Sequence, residues 1–166
     1  IDGKVCAPGE EGELRVKGRQ VCQGYLDASL DAEAFDEDGW FRTGDLGVID
    51  AQGFVSITGR LKDIIIRKGE NISAKEIEDL LFAHPSVADA AVIGLPDDKS
   101  GERACAVIVC KPDLTITFDD MVSFLKSAQL SVHKIPEQLE IVSALPRNPS
   151  GKVLKKDLRA TYGGAK

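Results

Sequence analysis

The sequence predicts an α+β protein: a small carboxy-terminal domain with a three-stranded sheet plus a hairpin and flanking helices, preceded by a β-rich, barrel-like fragment. Residues 1–60 contain short strand-forming runs broken by glycine, whereas residues 61–166 combine dense apolar runs with segments of helical spacing. The charge balance changes at the same place. Residues 1–59 carry 5 basic and 12 acidic side chains, and residues 60–166 carry 16 and 15. We therefore place a domain boundary after residue 60.

Short strands separated by glycine turns make up the first part. They are ELRVKG from Glu13, QVCQGYL from Gln20, WFRTGDLGVID, and FVSITG, the last two joined by a Gln52-Gly53 turn. One helical turn is expected over Leu30–Ala34. A meander of this kind has exposed edges, so we expect residues 1–60 to rest against further protein.

The second part alternates strands and helices. LKDIIIR is a dense apolar strand, and Ser73 then opens a helix with the capping-box spacing to Glu76. VADAAVIGL and ERACAVIVC are continuous apolar runs, which are typical of strands covered on both faces. Thr117 caps a second helix, QLEIV forms a third strand, and the loop PRNPSGK leads into the closing helix VLKKDLRATY. These elements predict a compact α+β domain over residues 61–166.

Composition excludes several classes of function. The chain is 43% hydrophobic and 29% charged, and no apolar run approaches the roughly 20 residues that cross a bilayer. We expect no transmembrane segment, which leaves peripheral contact with a membrane open. A net charge of −6 argues against nucleic acid as a partner. The first residues lack the basic and apolar parts of a secretory signal, so we expect a cytoplasmic protein.

The four cysteines show no CxxC pair, and the two histidines are far apart in sequence. We therefore expect no metal site in this chain. Cys105 and Cys110 lie in the apolar run ACAVIVC, where a reduced cysteine behaves as a small buried hydrophobe. We interpret both as core residues.

Three polar, glycine-bearing segments are not explained by a core: GWFRTGDLG at 39–47, GRLKDIIIRKGENIS at 59–73 and PRNPSGK at 146–152. A carboxylate such as Asp45, held at a glycine turn, accepts hydrogen bonds from a ribose diol. Arg60 suits a phosphate or a nucleotide hydroxyl. The mobile ammonium of Lys152 is suited to neutralising charge that develops on a phosphoryl or carboxyl oxygen. Taken singly, each segment is more often an ordinary turn or loop than a functional site.

In this order, the segments resemble the superfamily of acyl-CoA synthetases, peptide-synthetase adenylation domains and firefly-type luciferases. The resemblance covers essentially the whole chain. GELRVKGRQVCQGYL and GWFRTGDLG resemble the end of the family's large amino-terminal domain, GRLKDIIIRKGENIS its hinge, and HPSVADAAVIGLPD with PRNPSGK its small mobile carboxy-terminal domain. The chain is thus identified as a carboxy-terminal part of an AMP-forming acyl-CoA synthetase. ATP, CoA, Mg2+ and a carboxylic acid of fatty-acid type are the reactants and cofactors that this resemblance implies.

The resemblance also implies roles for residues near the boundary. Asp45 matches the ligand of the ribose hydroxyls of ATP and AMP, and Arg60 matches a second contact to the same sugar. Lys62 matches the hinge position about which the small domain turns. Asp63, which is adjacent, is the second choice for that hinge.

Two further segments receive roles in the two half-reactions. Lys152 matches the lysine that reaches the acyl carboxylate and the α-phosphate while the acyl-adenylate forms. Gly69, Glu70 and Asn71 match the segment that lines the pantetheine passage after the small domain has rotated. The resemblance therefore gives one small domain two working faces, used in succession.

Other parts of the family's active site precede this region. The chain has no Ser/Thr/Gly-rich phosphate loop ending in Pro-Lys-Gly, no acidic motif for magnesium and no acyl pocket. We expect the missing N-terminal domain of the same enzyme to supply them, and we expect the chain alone to be inactive. Since the acyl pocket lies outside these residues, the sequence does not identify the acid.

Two alternative interpretations stay open. An adenylation domain of a peptide synthetase carries the same motifs, although GENIS and PRNPSGK favour an acyl-CoA ligase. A non-catalytic module that recognises CoA or adenylate would also present these surfaces. A gene that encodes a large domain before Ile1 would exclude the module, since a member of ordinary domain size requires one.

Overall fold

The computed structural model describes residues 4–164. The chain divides into two compact units, Ile1–Lys62 and Asp63–Lys166. The division falls two positions after the boundary expected from the sequence. Each unit has its own sheet, so the two are described separately.

The first unit is an open antiparallel sheet of three strands in the order β1-β2-β3. These strands are β1 (Glu11–Val16), β2 (Phe41–Ile49) and β3 (Val55–Arg60). A 3-10 turn over Ala28–Leu30 precedes the short helix α1 (Asp31–Ala34). The sheet does not close into a barrel, in keeping with the expected fragment with exposed edges.

The prediction of a strand from Gln20 is wrong. Residues 20–26 are irregular, and the backbone N–H of Tyr25 donates to the Asp31 carboxylate at 2.8 Å. Asp31 is the first residue of α1, so this carboxylate fixes the approach to the helix. A side chain thus captures a backbone donor that the expected strand needed for pairing.

Over residues 63–164, the second unit contains five strands and three α-helices. The strands are β4 (Ile64–Arg67), β5 (Glu70–Ser73), β6 (Val87–Asp97), β7 (Gly101–Cys110) and β8 (Gln138–Ile141), and the helices are α2 (Ala74–Phe82), α3 (Phe118–Ser127) and α4 (Lys155–Tyr162). Strands β6 and β7 form a long antiparallel hairpin, and β8 adds parallel to β7. The β4–β5 hairpin joins β7 through a single pair, Arg67 with Gly101. The predicted fold class, a three-stranded sheet plus a hairpin with flanking helices, is confirmed.

Both faces of the β6–β7–β8 sheet are buried. One set of alternate residues packs with α2 and α3: Ala90, Val92, Ala104, Ala106 and Ile108. The other set packs with Leu158 of α4 and with Leu145: Ala91, Ile93, Leu95, Cys105 and Val107. Because side chains alternate along a strand, covering both faces requires an unbroken apolar run. This explains why VADAAVIGL and ERACAVIVC lack polar alternation.

Cys105 lies in the centre of this sheet and is fully buried. Burial raises the pKa of its thiol to about 12, so the sulfur stays protonated at neutral pH. Its interpretation as a core residue is confirmed. Cys110, at the end of β7, is half-buried.

The helix starts follow the capping signals in the sequence. Ser73 accepts a hydrogen bond from the backbone N–H of Glu76 at 3.4 Å. Thr117 and Asp120 cap α3 reciprocally, each side chain accepting from the other residue's backbone N–H. The hydrogen bond from the Thr117 hydroxyl lowers the pKa of the Asp120 carboxyl. No helix among residues 4–164 is both long and apolar enough to cross a membrane.

The packing of α3 provides a test of this core. Leu125 is fully buried, whereas Leu114, in the preceding loop, is 49% exposed. We expect Leu125→Ala to lower the free energy of unfolding by about 2–5 kcal/mol, because it leaves a cavity. The change is measurable by urea denaturation, followed through the reaction of the buried Cys105 thiol with an alkylating reagent.

The matched control is Leu114→Ala, which removes the same atoms from a solvated position. It should change the free energy of unfolding by no more than about 0.5 kcal/mol. Equal effects of the two substitutions would contradict the assignment of Leu125 to the core.

Candidate functional site

Asp45 and Arg60 face each other in the first unit. They are register partners on the adjacent strands β2 and β3, and Arg60 Nε lies 2.7 Å from Asp45 Oδ1. The Asp45 side chain is 23% exposed and that of Arg60 is 48% exposed. The structure therefore brings the two predicted nucleotide contacts together at a solvent-accessible edge. One anionic and one cationic side chain are available there to a ligand.

The strand around Asp45 is held by its neighbour Thr43. The Thr43 hydroxyl donates to the carbonyl of Leu14 on β1 at 2.6 Å, and it accepts from the backbone N–H of Asp45 at 3.0 Å. The pairing of β2 with β3 shifts in register between Leu46 and Gly47. The carboxylate thus lies on a strand fixed from both sides.

Lys62 and Asp63 occupy the junction between the two units. They form a single 3-10 turn with Leu61, between β3 and β4. Lys62 is exposed, and Asp63 is partly buried. The Asp63 carboxylate pairs with two cations of α4, Arg159 at 3.3 Å and Lys155 at 3.4 Å. The two hinge candidates therefore differ in environment.

Lys152 lies on a tightly bonded loop between β8 and α4. Asn148 organises this loop: its backbone N–H donates to the Lys152 carbonyl at 2.9 Å, and its side-chain oxygen accepts from the Lys152 N–H at 2.8 Å. The Ser150 hydroxyl donates to the same oxygen at 2.8 Å. Gly151 has φ +83°, a left-handed conformation that favours glycine. Most backbone hydrogen-bonding groups around Lys152 thus find their partners within the loop.

Arg147 connects this loop to the sheet. Its guanidinium donates to the Gly151 carbonyl and to the Asp89 carboxylate of β6, both at 2.5 Å. The Lys152 side chain is exposed, and among residues 4–164 no hydrogen bond or ion pair engages its ammonium. A fixed backbone here carries a long cationic side chain that is available to an anionic ligand.

Gly69 lies in the two-residue turn between β4 and β5. Lys68 has φ +52° and Gly69 has φ +81°, and the flanking residues Arg67 and Glu70 pair directly. Two successive positive φ angles define the hairpin turn whose twist matches that of the strands. A Cβ on Gly69 would meet no atom within 4 Å, so turn conformation rather than crowding explains glycine here.

The turn is tied to neighbouring elements through its backbone and through two side chains. The Lys68 N–H donates to the Ser100 carbonyl at 2.8 Å. Arg67 forms an ion pair with Glu137 and donates to the His133 carbonyl at 2.6 Å. The side chain of Glu70 lies 3.1 Å from His133 Nε2. The exposed residues Gly69, Glu70 and Asn71 are therefore presented by an anchored hairpin.

The Lys152 loop and the Gly69 turn are attached to opposite ends of the β6–β7 hairpin. The first is tied to Asp89, near the open end, and the second to Ser100, in the connecting turn. Asp89 and Asp97 are eight positions apart on β6, which corresponds to roughly 25 Å. The two candidate surfaces thus cannot contact the same small reacting group at once.

Sequence reasoning missed Arg147, Asn148 and the structural role of Arg67, which binds Glu137 and the His133 carbonyl. For Asn148, the Asn-Pro-Ser-Gly order is a usable signal, because asparagine side chains commonly bond to the backbone two to four residues onward. Arg147 and Arg67 offer no local signal, since their partners Asp89 and Glu137 are 58 and 70 positions away.

Comparison with known proteins agrees with this architecture. Residues 76–152 match the family model of the AMP-binding enzyme C-terminal domain. The chain therefore carries the C-terminal domain of the AMP-binding enzymes. Its relatives in this class include both acyl-CoA ligases and AMP ligases that act on aromatic acids.

Among these relatives, the medium-chain fatty-acid–CoA ligase of Escherichia coli is 44% identical over 94% of the chain and 28% of its own length. The vibriobactin-specific 2,3-dihydroxybenzoate-AMP ligase of Vibrio cholerae is 41% identical over 96% of the chain and 30% of its own length. The crystal structure of ATP-bound MatB from Rhodopseudomonas palustris has a TM-score of 0.91 and 41% identity, over 98% of the chain and 32% of MatB. The chain thus spans about a third or less of the proteins it matches, and the identification as a carboxy-terminal part is confirmed.

The Gly69 turn yields a test of backbone conformation. We expect Gly69→Ala to lower the free energy of unfolding by about 1–2 kcal/mol, because alanine is disfavoured at positive φ. Gly69→Asn should cost less, since asparagine tolerates this conformation. Urea denaturation of the three chains measures the difference.

An alanine variant as stable as the glycine chain would contradict the left-handed conformation at this turn. The asparagine variant serves as the control for side-chain bulk. It adds more atoms than alanine, yet it should be the less destabilising of the two.

Proposed function

We propose that this chain supplies the end of the large domain, residues 1–60, and the whole small mobile domain, residues 61–166, of an acid–thiol ligase. The enzyme would activate a carboxylic acid, of fatty-acid type, with ATP to acyl-AMP and pyrophosphate, and then transfer the acyl group to CoA. The large amino-terminal domain is the partner that would supply the phosphate loop and the acyl pocket. We assign no activity to the 166 residues alone.

The observation that carries this proposal is the position of the two candidate surfaces at opposite ends of one hairpin. The Lys152 loop is tied to the Asp89 end through Arg147, and the Gly69 turn to the Ser100 end through Lys68. These ends are roughly 25 Å apart by strand rise. A rigid domain with this spacing presents only one of the surfaces to a single active site. Two successive half-reactions, separated by a rotation of the small domain, would explain why the domain carries both surfaces.

Lys152 acts in the first half-reaction. A carboxylate oxygen of the acid attacks the α-phosphorus, the bond from that phosphorus to the bridging oxygen breaks, and pyrophosphate leaves. Both reactants are anionic, so a mobile ammonium beside the reacting oxygens lowers the energy of the charge-dense transition state. No proton transfer is needed, because the carboxylate is already a nucleophile.

Asp45 and Arg60 hold the nucleotide. The free Asp45 oxygen accepts from a ribose hydroxyl, while the second oxygen stays paired with Arg60 at 2.7 Å. The guanidinium has further N–H donors for the sugar oxygens. Because both residues lie on paired strands, the ribose position is fixed while the small domain moves.

Gly69, Glu70 and Asn71 act in the second half-reaction. The thiolate of CoA attacks the acyl carbonyl, the bond from the acyl carbon to the AMP oxygen breaks, and AMP leaves. The two-residue turn is narrow and has open space at the Gly69 Cα. It therefore suits a surface past which a pantetheine arm extends.

ATP is expected to enter with Mg2+, whose ligands we place in the amino-terminal domain. Within residues 4–164, no three carboxylate, thiol or imidazole groups converge on a common point. We therefore derive no step of the mechanism through a metal ion held by this chain.

A second candidate is an adenylation enzyme that delivers its acyl group to a carrier protein, as in peptide synthetases. The 41% identity to an aryl-acid AMP ligase favours it. A carrier presents the same pantetheine thiol as CoA, so the turn at Gly69 suits either acceptor. Supplying free CoA or a phosphopantetheinylated carrier protein to the complete enzyme separates the two candidates.

The role of Lys152 is tested in an enzyme that carries these residues after its large domain. We expect Lys152→Ala to slow acyl-AMP formation by about 10²–10³-fold, because it removes transition-state charge stabilisation. Conversion of supplied acyl-AMP and CoA to the thioester should stay within about twofold of the wild-type rate. Pyrophosphate release and thioester formation measure the two half-reactions separately.

The control is Lys156→Ala, which removes an exposed lysine at the start of α4. It should leave both half-reactions unchanged. Equal loss of both half-reactions in Lys152→Ala would overturn the assignment of Lys152 to the first step alone.

The hinge is tested by restricting the backbone of Lys62. Proline fixes φ near −65°, so Lys62→Pro should hinder rotation and slow thioester formation far more than acyl-AMP formation. Lys62→Ala removes the same side chain but leaves φ free, and it should affect both steps only slightly. The same two assays measure both variants, and matching profiles for proline and alanine would exclude Lys62 as the pivot.

A further inference from the structure

Asp63, the first residue of the second unit, is held by two cations of the last helix. Lys155 and Arg159 are four residues apart on α4 and therefore lie on one face of the helix. Arg159 Nη2 lies 3.3 Å from Asp63 Oδ1, and Lys155 Nζ lies 3.4 Å from Asp63 Oδ2. Both carboxylate oxygens are thus engaged by elements 92 and 96 positions away in sequence.

Lys155 extends this contact to a second carboxylate. Its ammonium lies 2.8 Å from Glu78 Oε1 of α2, and the same oxygen accepts from the backbone N–H of Val92 on β6 at 2.7 Å. Two anions and two cations therefore form one cluster, which we call the anchor: Asp63, Glu78, Lys155 and Arg159. The anchor connects the start of the second unit with α2, α4 and the central sheet.

The anchor is partly enclosed by the surrounding protein. The Lys155 side chain is 16% exposed, and that of Glu78 is 17% exposed. Lys155 is also the first residue of α4, where the helix dipole disfavours a cation. Its two carboxylate partners offset both costs. Removal of the ammonium would leave the partly buried Glu78 without its cation and Asp63 with Arg159 alone.

Helix α4 begins three residues after Lys152. The Leu154 N–H donates to the Pro146 carbonyl at 2.8 Å and so closes the base of the Lys152 loop. Leu158 then seats the helix on the sheet through a buried cluster that includes Leu95 and Ile93. The path from Asp63 to the Lys152 loop therefore runs through bonded and packed elements only.

We propose that the anchor is the fixed point on the small-domain side of the hinge, which confines backbone rotation to Lys62 and transmits it through α4 to Lys152. Asp63 is then an attachment point rather than a second pivot. Lys155 and Arg159 are positioning residues that touch no substrate. This inference rests on the proposed function, because it assumes that the domain rotates between two half-reactions.

Trypsin tests the anchor in the 166-residue chain itself, because the bond between Lys62 and Asp63 is a tryptic site. Cleavage there requires Asp63 to leave the anchor. We expect Lys155→Met to raise the cleavage rate at this bond by about 5–10-fold, as local opening becomes less costly. Lys156→Met, which removes the neighbouring exposed lysine, should leave the rate within about twofold.

Cleavage after Lys126, on α3, is the internal reference. Lys155→Met should leave it unchanged, which separates local release of Asp63 from unfolding of the whole unit. Equal rates at Lys62 in Lys155→Met and Lys156→Met would overturn the anchor. Acceleration at Lys62 and Lys126 by the same factor would also overturn it, since the effect would then be global.

Transmission to Lys152 is tested in the complete enzyme. Lys155→Met should lower kcat for acyl-AMP formation and for thioester formation alike, with KM for the acid unchanged, because both orientations depend on the same attachment. Lys155→Arg, which keeps the cation, should recover most of both rates. Unchanged rates in both half-reactions, or a loss confined to one, would overturn transmission through α4.

The proteolysis part of this test can fail or succeed independently of the proposed function. The proteolysis result needs only the isolated chain and no substrate. If Lys152→Ala retained acyl-AMP formation, the proposed function would fail, whatever trypsin does at Lys62.

Discussion

The pairing of β6 with β7 is the interaction on which the second unit depends. Ten residue pairs join the two strands, from Val87 with Cys110 to Asp97 with Gly101. The hairpin contributes side chains to both buried clusters, and α2, α3 and α4 each share one of these clusters with it. The same hairpin sets the separation of the two candidate surfaces, because each is tied to one of its ends. Core packing and functional geometry thus have a common origin.

A hairpin buried on both faces is a stiff spacer. Its central residues are fully buried and packed at the density of a protein interior, which resists small displacements. Movement of the Lys152 loop relative to the Gly69 turn would therefore require disruption of the core. The proposed function accordingly exchanges one surface for the other by rotation of the whole unit about the junction.

Local elements of the fold were largely predictable from the sequence, because their causes are local. The caps at Ser73 and Thr117 and the continuous apolar runs of β6 and β7 each depend on residues within a few positions. The strand from Gln20 was not predictable, since Asp31 captures the Tyr25 N–H that strand pairing would have used. Propensity alone contains no information about such competition.

The candidate site was predictable to a smaller extent. The sequence identified Asp45, Arg60 and Lys152 as candidates, but not their surroundings. The pairing of Asp45 with Arg60 depends on a register that shifts after Leu46, and a register shift has no reliable local signal. The contact of Arg147 with Asp89 joins residues 58 positions apart, which only the assembled sheet brings together.

The contrast between a fixed loop and an unengaged lysine has an energetic consequence for catalysis. Ordering a flexible loop when substrate binds would cost about 1–2 kcal/mol for each residue. Asn148 and Arg147 have already ordered this backbone through bonds within the loop and to the sheet. The remaining cost is that of one lysine side chain, about 2 kcal/mol. In the proposed first half-reaction, the interaction of this ammonium with the reacting oxygens would therefore stabilise mainly the transition state, with little of it spent on ordering the loop.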